Sequence, residues 1–295
     1  NLPESVRRAI DLPTIDHRSP AFAESMPKLF AGLRSIFATK SPYIFVFPST
    51  GTGGWEATIA NTLSPGDKVL ACRHGVFSDK WIRMCEAFGL VVDVIECDWR
   101  GPADPALIEV ALLADQNHAI KAVLATHNET ATGVRSDLKA IRESIDRAEH
   151  NALFFVDGVS SIASMDFQMD AWGIDAAVTG SQKGFMMPAG LAIVAVSEKA
   201  IDAGKTATLP RFFFDFKQMG QMTHQGGFPY TPPMQLLAGL QHSVDLLLTE
   251  GLDAVFSRHF KMGEGVRQAA AAWNLDLCCE DLQYRFKGLL KRPAA

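Results

Sequence analysis

A single lysine, Lys183, lies in the otherwise uncharged stretch T-G-S-Q-K-G-F at residues 179–185. The stretch follows the apolar run 176–178, which is typical of a strand, and precedes a second apolar run at 191–196. Lysine is rarely buried because its ammonium group loses hydration there. A desolvated amine gives up its proton more easily and can act as a nucleophile. We therefore take Lys183 as a candidate catalytic residue.

A carboxylate, Asp157, follows the apolar run L-F-F-V at 153–156 and opens the turn D-G-V-S-S. An aspartate at the end of a strand is a helix cap in many proteins. It is equally suited to pair with a protonated ring nitrogen on a cofactor. Considered alone, Asp157 leaves both interpretations open.

Two further polar segments follow apolar runs. S-T-G-T-G-G-W-E-A, after residues 43–47, is either a plain connector or a phosphate cradle, because its glycines let backbone N–H groups turn toward an anion at a helix N-terminus. It lacks the G-K-[ST] of a nucleotide-binding loop. T-H-N-E-T-A-T-G-V, after residues 122–126, carries more polar groups than turn chemistry requires. We interpret His74, His127 and His224 as structural histidines.

The elements that would position these residues alternate between strand and helix. Several strand candidates are apolar on successive residues, as expected where both faces of a parallel sheet are covered. This alternation predicts an α/β fold, a three-layer α/β/α sandwich with a mainly parallel seven-stranded sheet. From residue 233 the pattern changes to long helices, and 275–279 is strand-like. The predicted strands are 43–47, 68–72, 91–95, 122–126, 153–156, 176–178 and 191–196.

Ligands of such sheets gather at the carboxyl ends of the strands, so the cradle, the acid, the hydroxyl groups and the amine are expected to converge. A lysine Schiff base with a carboxylate at the pyridine nitrogen is the recurring arrangement for pyridoxal phosphate (PLP). V-D-G-V-S-S-I and G-I-D-A-A-V-T-G-S-Q-K-G resemble the fold-type-I PLP-dependent aminotransferases. The chain is most similar to the serine–glyoxylate and alanine–glyoxylate group of class V, from its first residues to about Leu277.

The resemblance implies roles for individual residues. Lys183 would form the Schiff base and shuttle a proton, and Asp157 would keep the pyridine nitrogen protonated. Thr231, in F-P-Y-T-P, would reach the cofactor of a neighbouring subunit, which implies a homodimer. The other implied cofactor contacts are the phosphate ligands Thr52, Gly53, Gly54 and Gln182, the hydrogen-bonding partner of the phenolic oxygen, Thr132, and the stacking residue Phe77.

The reaction implied is transamination from a small L-amino acid (serine, alanine or aspartate) to glyoxylate, giving glycine and a 2-oxo acid. One alternative is a PLP-dependent lyase or desulfurase of the same fold, which would need a mobile catalytic cysteine near the site. Another is a catalytically impaired homologue that acts as a dimeric scaffold.

The chain departs from the resemblance at its ends. We expect a large PLP-binding domain at 1–235, with an N-terminal arm at 1–25. Residues 236–295 would form a helical linker and the start of a small domain that is largely missing. No segment matches the surroundings of the arginine that binds the substrate carboxylate in the family, so Arg285 and Arg292 are the substitutes considered. Asn1 resembles the end of the family's G-P-T-N segment.

Composition excludes several other classes. Among 295 residues, 47% are hydrophobic and 21% charged, and the net charge of −5 argues against nucleic acid as a partner. The cysteines form no C-x-x-C pair, so we expect no metal site. No apolar run approaches the length of a membrane span, and we expect a cytoplasmic protein without membrane contact.

Overall fold

The apolar runs of the sequence form the strands of one central sheet in the computed structural model, which describes residues 2–279. In chain order the elements are α1 Glu4–Ile10, α2 Pro20–Phe37, β1 Ile44–Ser49, α3 Gly51–Thr62, β2 Lys68–Arg73, α4 Val76–Ala87, β3 Val91–Glu96, α5 Pro105–Ala114, β4 Ile120–Thr126, β5 Asn128–Glu129, β6 Val134–Arg135, α6 Leu138–Arg147, β7 Leu153–Asp157, β8 Ala176–Gly180, β9 Gly190–Val196, α7 Glu198–Ala203, α8 Phe216–His224, α9 Met234–Glu250 and α10 Leu252–Ala272.

The sheet has seven strands in the order β1-β9-β8-β7-β4-β2-β3. β9 is antiparallel to both of its neighbours, and the remaining strands run parallel to one another. Every residue of β7 and β8 is buried, so both faces of the sheet are covered by other elements. The predicted three-layer, mainly parallel α/β architecture is confirmed.

The register of the strands brings their carboxyl ends to one edge. Thr126 at the end of β4 pairs with Asp157 of β7, which in turn pairs with Val178 of β8. Across β9, Ala192 pairs with both Gly180 of β8 and Phe47 of β1. The segments that follow β1, β4, β7 and β8 therefore start side by side, as required for a shared site.

Helices cover the sheet where their sequences supply apolar faces and caps. α3 packs against β8 and β9, α4 against β2 and β3, and α9 against α1 and α2. Several helices begin at a side-chain cap, as when Asp137 accepts the N–H of Ala140 at the start of α6 (3.0 Å). The domain boundary predicted at residue 235 falls near the first residue of α9, and it stays a prediction.

The structure differs from the predicted elements in three places. β1 runs through Pro48 to Ser49, because an edge strand does not need the N–H that proline lacks. The short β5–β6 hairpin, closed by a turn with Gly133 at φ 75°, was not predicted, since two-residue strands leave no period to detect. The strand-like segment 275–279 forms no strand, and only Leu277 makes an isolated bridge.

Among residues 2–279, no helix combines the length and the apolar character needed to cross a membrane. The same part of the chain contains no cluster of three or more histidine, cysteine or acidic side chains that could hold a metal ion.

Candidate active site

The first turn of α3 presents backbone N–H groups that lack a side-chain cap. Thr50 occupies the N-cap position without a capping hydrogen bond, and its carbonyl accepts the N–H of Gly54 (3.1 Å). The N–H groups of residues 51–53 come before the first intrahelical bond of α3 and have no acceptor among the described residues. Together with the helix dipole, they form a site that suits a phosphate group. Thr52 is exposed at this turn.

Gly53 and Gly54 serve different purposes in the same turn. A Cβ on Gly53 would lie 2.0 Å from the hydroxyl oxygen of Ser49, at the end of β1. A Cβ on Gly54 would lie 2.5 Å from Cγ1 of Val178 in β8. Gly54 therefore lets α3 pack closely on β8, whereas Gly53 lets the first turn of α3 lie close to Ser49 at the end of β1.

Asp157 is a buried carboxylate at the end of β7, with 5% of its surface exposed. Burial raises its pKa to about 7, although the N–H of Val159, which donates to Oδ1 (2.9 Å), acts in the opposite direction. Among smaller effects, the charge of Glu129 raises this pKa, while Trp55 and the Lys183 ammonium lower it. A cationic partner would therefore stabilise the ionised form of Asp157.

The Trp55 indole lies beside this carboxylate. Its ring stacks on Trp81, with centroids 5.4 Å apart and planes 15° from parallel. Its buried Nε1–H lowers the pKa of Asp157 but makes no hydrogen bond of normal geometry within the described chain. Trp55 therefore packs against Trp81 and also lies beside the Asp157 carboxylate.

Lys183 lies half-buried in a turn after β8. Its carbonyl accepts the N–H of Met186 (3.0 Å), and its ammonium forms no hydrogen bond or ion pair with the described residues. Ser181 anchors the turn, because its hydroxyl donates to the Pro188 carbonyl (2.6 Å) and accepts the N–H of Leu191 (3.1 Å). Since Lys183 is close enough to Asp157 to lower its pKa, the structure brings the amine and the acid together.

The neighbours of Lys183 explain why small residues flank it. A Cβ on Gly184 would lie 2.3 Å from the carbonyl oxygen of Ile162, in the segment that follows Asp157. A Cβ on Gly180 would lie 2.7 Å from the amide oxygen of the exposed Gln182, whose side chain folds back over this glycine. Gly184 therefore lets the Lys183 turn lie directly against the segment after Asp157, whereas Gly180 leaves room for the Gln182 side chain within the turn.

Phe77 lies in the first turn of α4 and is half-buried. Its N–H donates to Oε2 of Glu129 (3.0 Å), and the ammonium of Lys80 lies 5.3 Å from its ring centroid. Glu129 is fully buried, and sequence reasoning did not assign it a role. A carboxylate placed among small polar residues after an apolar strand was the only signal for it.

The two threonines of the polar segment after β4 lie in different surroundings. Thr132 is buried, with 4% of its surface exposed, and its hydroxyl accepts the N–H of Val134 (3.4 Å) within the hairpin turn. Thr130 is half-buried and hydrogen-bonds the hydroxyl of Ser160 in the segment after Asp157. Thr130 is thus the threonine bonded to the Asp157 side of the site.

Thr231 lies in the segment that precedes α9. It is exposed there and lines a cavity of about 690 Å³ with His17, Arg18 and Tyr230. None of the residues around that cavity belongs to the turns that carry Asp157 and Lys183. Its predicted contact with a neighbouring subunit's cofactor stays a prediction.

Two buried histidines lie close to the strand ends. Burial lowers the pKa of His74 to about 4, and burial with the charge of Arg135 lowers that of His127 to about 3. His127 packs edge-on against Trp172, with ring centroids 5.8 Å apart. Both rings are uncharged at neutral pH. Both ring nitrogens of His74 and Nδ1 of His127 are buried without a hydrogen-bond partner among the described residues, so the structural role of these histidines stays a prediction.

The profile of the aminotransferase class-V family matches residues 13–268. The chain belongs to this family. The L-aspartate–glyoxylate aminotransferase of Paracoccus denitrificans is 55% identical over 278 residues, which are 94% of this chain and 70% of the relative. The serine–glyoxylate aminotransferase of Hyphomicrobium methylovorum is 50% identical over 95% of this chain and 70% of its own. The crystal structure of the alanine–glyoxylate aminotransferase of Nostoc sp. superimposes with a TM-score of 0.92 at 28% identity, covering 99% of this chain and 78% of that one.

Class-V aminotransferases use pyridoxal phosphate, and the donor set of this chain fits that cofactor. The uncapped first turn of α3 suits the phosphate, and the buried Asp157 suits the protonated ring nitrogen. Lys183 offers an amine that is not engaged by another described residue. Arg285 and Arg292, considered for the substrate carboxylate, lie outside the described residues, as does Asn1.

Proposed function

We propose that this class-V aminotransferase transfers the amino group of a small L-amino acid (serine, alanine or aspartate) to glyoxylate, giving glycine and a 2-oxo acid. The observation that carries the proposal is the convergence of Lys183, the buried Asp157 and the uncapped α3 N-terminus at one edge of the sheet. The similarity to relatives named for glyoxylate supports the amino acceptor.

The residues of the chain divide the work of binding the cofactor. The N–H groups of Thr52 and Gly53, with Gln182, would bind the phosphate. The carboxylate of Asp157 would accept the ring N–H and hold its proton, and Phe77 would stack on the ring. Gly54, which the resemblance also placed at the phosphate, supports the site by letting α3 pack on β8.

Bound pyridoxal phosphate would supply an electron sink for the charge that develops at the substrate's Cα. The amine of Lys183 would take the proton from that carbon and later return a proton at the cofactor's reacting carbon. Asp157 would make the sink effective, because a carboxylate beside the ring nitrogen keeps that nitrogen positive. The resemblance implies that Thr132 would hydrogen-bond the phenolic oxygen of the cofactor. We favour Thr130 for this contact, because Thr130 is hydrogen-bonded to Ser160 and is more exposed than Thr132.

Thr231 would complete the site of a second copy in a homodimer. Its exposure, beside a cavity whose lining contains neither Lys183 nor Asp157 of its own chain, supports this arrangement. The molecular mass in solution, measured by sedimentation for the wild type, tests the dimer. A monomer that forms glycine at the full rate would contradict the role given to Thr231.

Amino transfer is tested by offering serine, alanine and aspartate singly with glyoxylate and measuring glycine. Borohydride reduction of the loaded protein should fix the cofactor on Lys183, as peptide mapping would reveal. A label on another lysine would refute the site. Bound cofactor without glycine from any donor would instead favour an impaired, scaffold-like homologue.

The lyase or desulfurase alternative is not favoured. Cys72 lies buried in β2 and Cys85 lies buried in α4. Cys97 follows β3, which is at the far edge of the sheet. None of these three thiols belongs to the turns that carry Asp157 and Lys183, where a mobile catalytic cysteine would be needed.

A further inference from the structure

Glu129 joins two separate segments of the site through a buried carboxylate. Its Oε2 accepts the N–H groups of Phe77 (3.0 Å) and Ser78 (3.1 Å) at the start of α4. Its Oε1 accepts the N–H of Ala131 (3.0 Å) in its own turn. The side chain is fully buried, so these bonds replace the water that the carboxylate would otherwise hold.

The start of α4 depends on this carboxylate. The N-cap position is Gly75, which has no side chain to accept the free N–H groups of the first turn. Glu129 supplies the missing acceptor from another segment and places negative charge at the positive end of the helix. A Cβ on Gly75 would lie 2.1 Å from Cγ of Glu129, so the two segments fit only with glycine at this position.

The residues next to these contacts belong to the proposed cofactor site. Phe77, whose N–H is bonded to Glu129, is the residue expected to stack on the pyridine ring. Thr130, next in sequence to Glu129, is bonded to Ser160 in the segment that follows Asp157. Glu129 therefore fixes the stacking residue relative to the segment that carries the ring's acid.

We propose that Glu129 is a positioning residue of this site, which holds the first turn of α4 so that the Phe77 ring stays where it stacks on the cofactor. This inference rests on the proposed function, since it gives Phe77 a cofactor to stack on. Displacing the Glu129 carboxylate would be costly, because it would leave buried backbone N–H groups without an acceptor.

The test compares PLP binding by the wild type and Glu129→Gln. The amide keeps the size of the side chain, but it has one acceptor oxygen and turns an NH2 group toward a backbone N–H. We expect the dissociation constant of PLP to rise about 10- to 100-fold, the factor that corresponds to losing a hydrogen bond to a charged group. Titration of cofactor-free protein, followed by quenching of tryptophan fluorescence, measures it. The circular dichroism band of the bound cofactor should also weaken, because it depends on how the ring is held.

Asp104→Asn is the matched control. Asp104 caps α5 by accepting the N–H of Ala106 (2.9 Å), and it belongs to none of the segments of the site. Both substitutions remove a negative charge from the positive end of a helix, so both should lower the midpoint of urea unfolding. Only Glu129→Gln should weaken PLP binding. Equal PLP affinity in the two variants and the wild type would overturn the inference.

A double-mutant cycle tests whether Glu129 acts through Phe77. Phe77→Leu removes the stacking ring, so adding Glu129→Gln to it should weaken PLP binding little further. Full additivity of the two losses would overturn the inference. If Glu129→Gln does not fold, Gly75→Ala displaces the same carboxylate and replaces it in the cycle. A wild type that binds no PLP would refute the proposed function, whereas normal binding by the wild type and by Glu129→Gln refutes the inference alone.

Discussion

Replacing Asp157 by asparagine should change how the stability of the cofactor-free protein depends on pH. Burial raises the pKa of this carboxyl from 3.8 to about 7, and only 5% of its surface is exposed. Between those two values the folded protein keeps a proton that the unfolded chain releases. The folded state binds more protons there, so its stability falls as pH rises.

The size of the effect follows from the pKa shift. One pKa unit corresponds to about 1.4 kcal/mol, so the Asp157 carboxyl removes about 4 kcal/mol of stability between pH 3.8 and pH 7. The contribution is fully present below pH 3.8 and is lost as pH rises through 7. Asparagine has a similar shape and no proton to lose, so Asp157→Asn lacks this loss. The free energy of unfolding of the variant minus that of the wild type should rise by about 4 kcal/mol over this range.

Urea unfolding of both cofactor-free proteins at a series of pH values measures that difference. The histidines and other carboxyls are common to both proteins, so their contributions cancel in the subtraction. A difference that stays constant with pH would refute the reasoning, because it would mean that Asp157 ionises in the folded state as easily as in water. In the presence of PLP the wild type should gain more stability than the variant at pH 8, since only the wild type can pair an ionised carboxylate with the ring.

Three further predictions concern single residues. Gly54→Ala should lower stability by about 1–3 kcal/mol, measured by urea unfolding, because its Cβ would lie 2.5 Å from Cγ1 of Val178, a side chain with little rotational freedom. Burial lowers the pKa of His74 from 6.5 to about 4, so between these pH values the unfolded chain binds a proton that the folded protein does not. The stability of the wild type therefore falls as the pH is lowered from 6.5 to 4, and His74→Leu should remove about 3 kcal/mol of this loss. Thr130→Val should weaken PLP binding in a fluorescence titration more than Thr132→Val, and the reverse order would restore Thr132 as the cofactor's partner.

Strands could be predicted from the sequence because their apolar runs follow from burial on both faces. All seven strands of the central sheet match predicted runs, and no strand end differs from its predicted position by more than two residues. What the sequence could not provide was the β5–β6 hairpin, whose two-residue strands have no period. The order of the strands could not be predicted from the sequence either, because the composition of β9 does not show that this strand runs antiparallel to its neighbours.

Residues of the candidate site were easier to predict than their individual contacts. Lys183 and Asp157 stand out because a charged side chain after an apolar strand conflicts with burial. Thr130 and Thr132 cannot be told apart in this way, because a two-residue shift within a turn changes which hydroxyl faces the strand ends. Glu129 was missed for a related reason, since its partners are backbone N–H groups that a sequence does not mark.

The buried carboxyl of Asp157 shows why local conflict is informative about function. A folded chain without its cofactor gains nothing by burying this group, and burial shifts its pKa to about 7. The chain nevertheless surrounds it with the Trp55 indole, the N–H of Val159 and the Lys183 ammonium, each of which favours the charged form only in part. Among the described residues this carboxylate forms no ion pair, and a protonated pyridine nitrogen would supply one. A site that is incomplete in this specific way is better explained by selection for binding such a ring than by selection for stability.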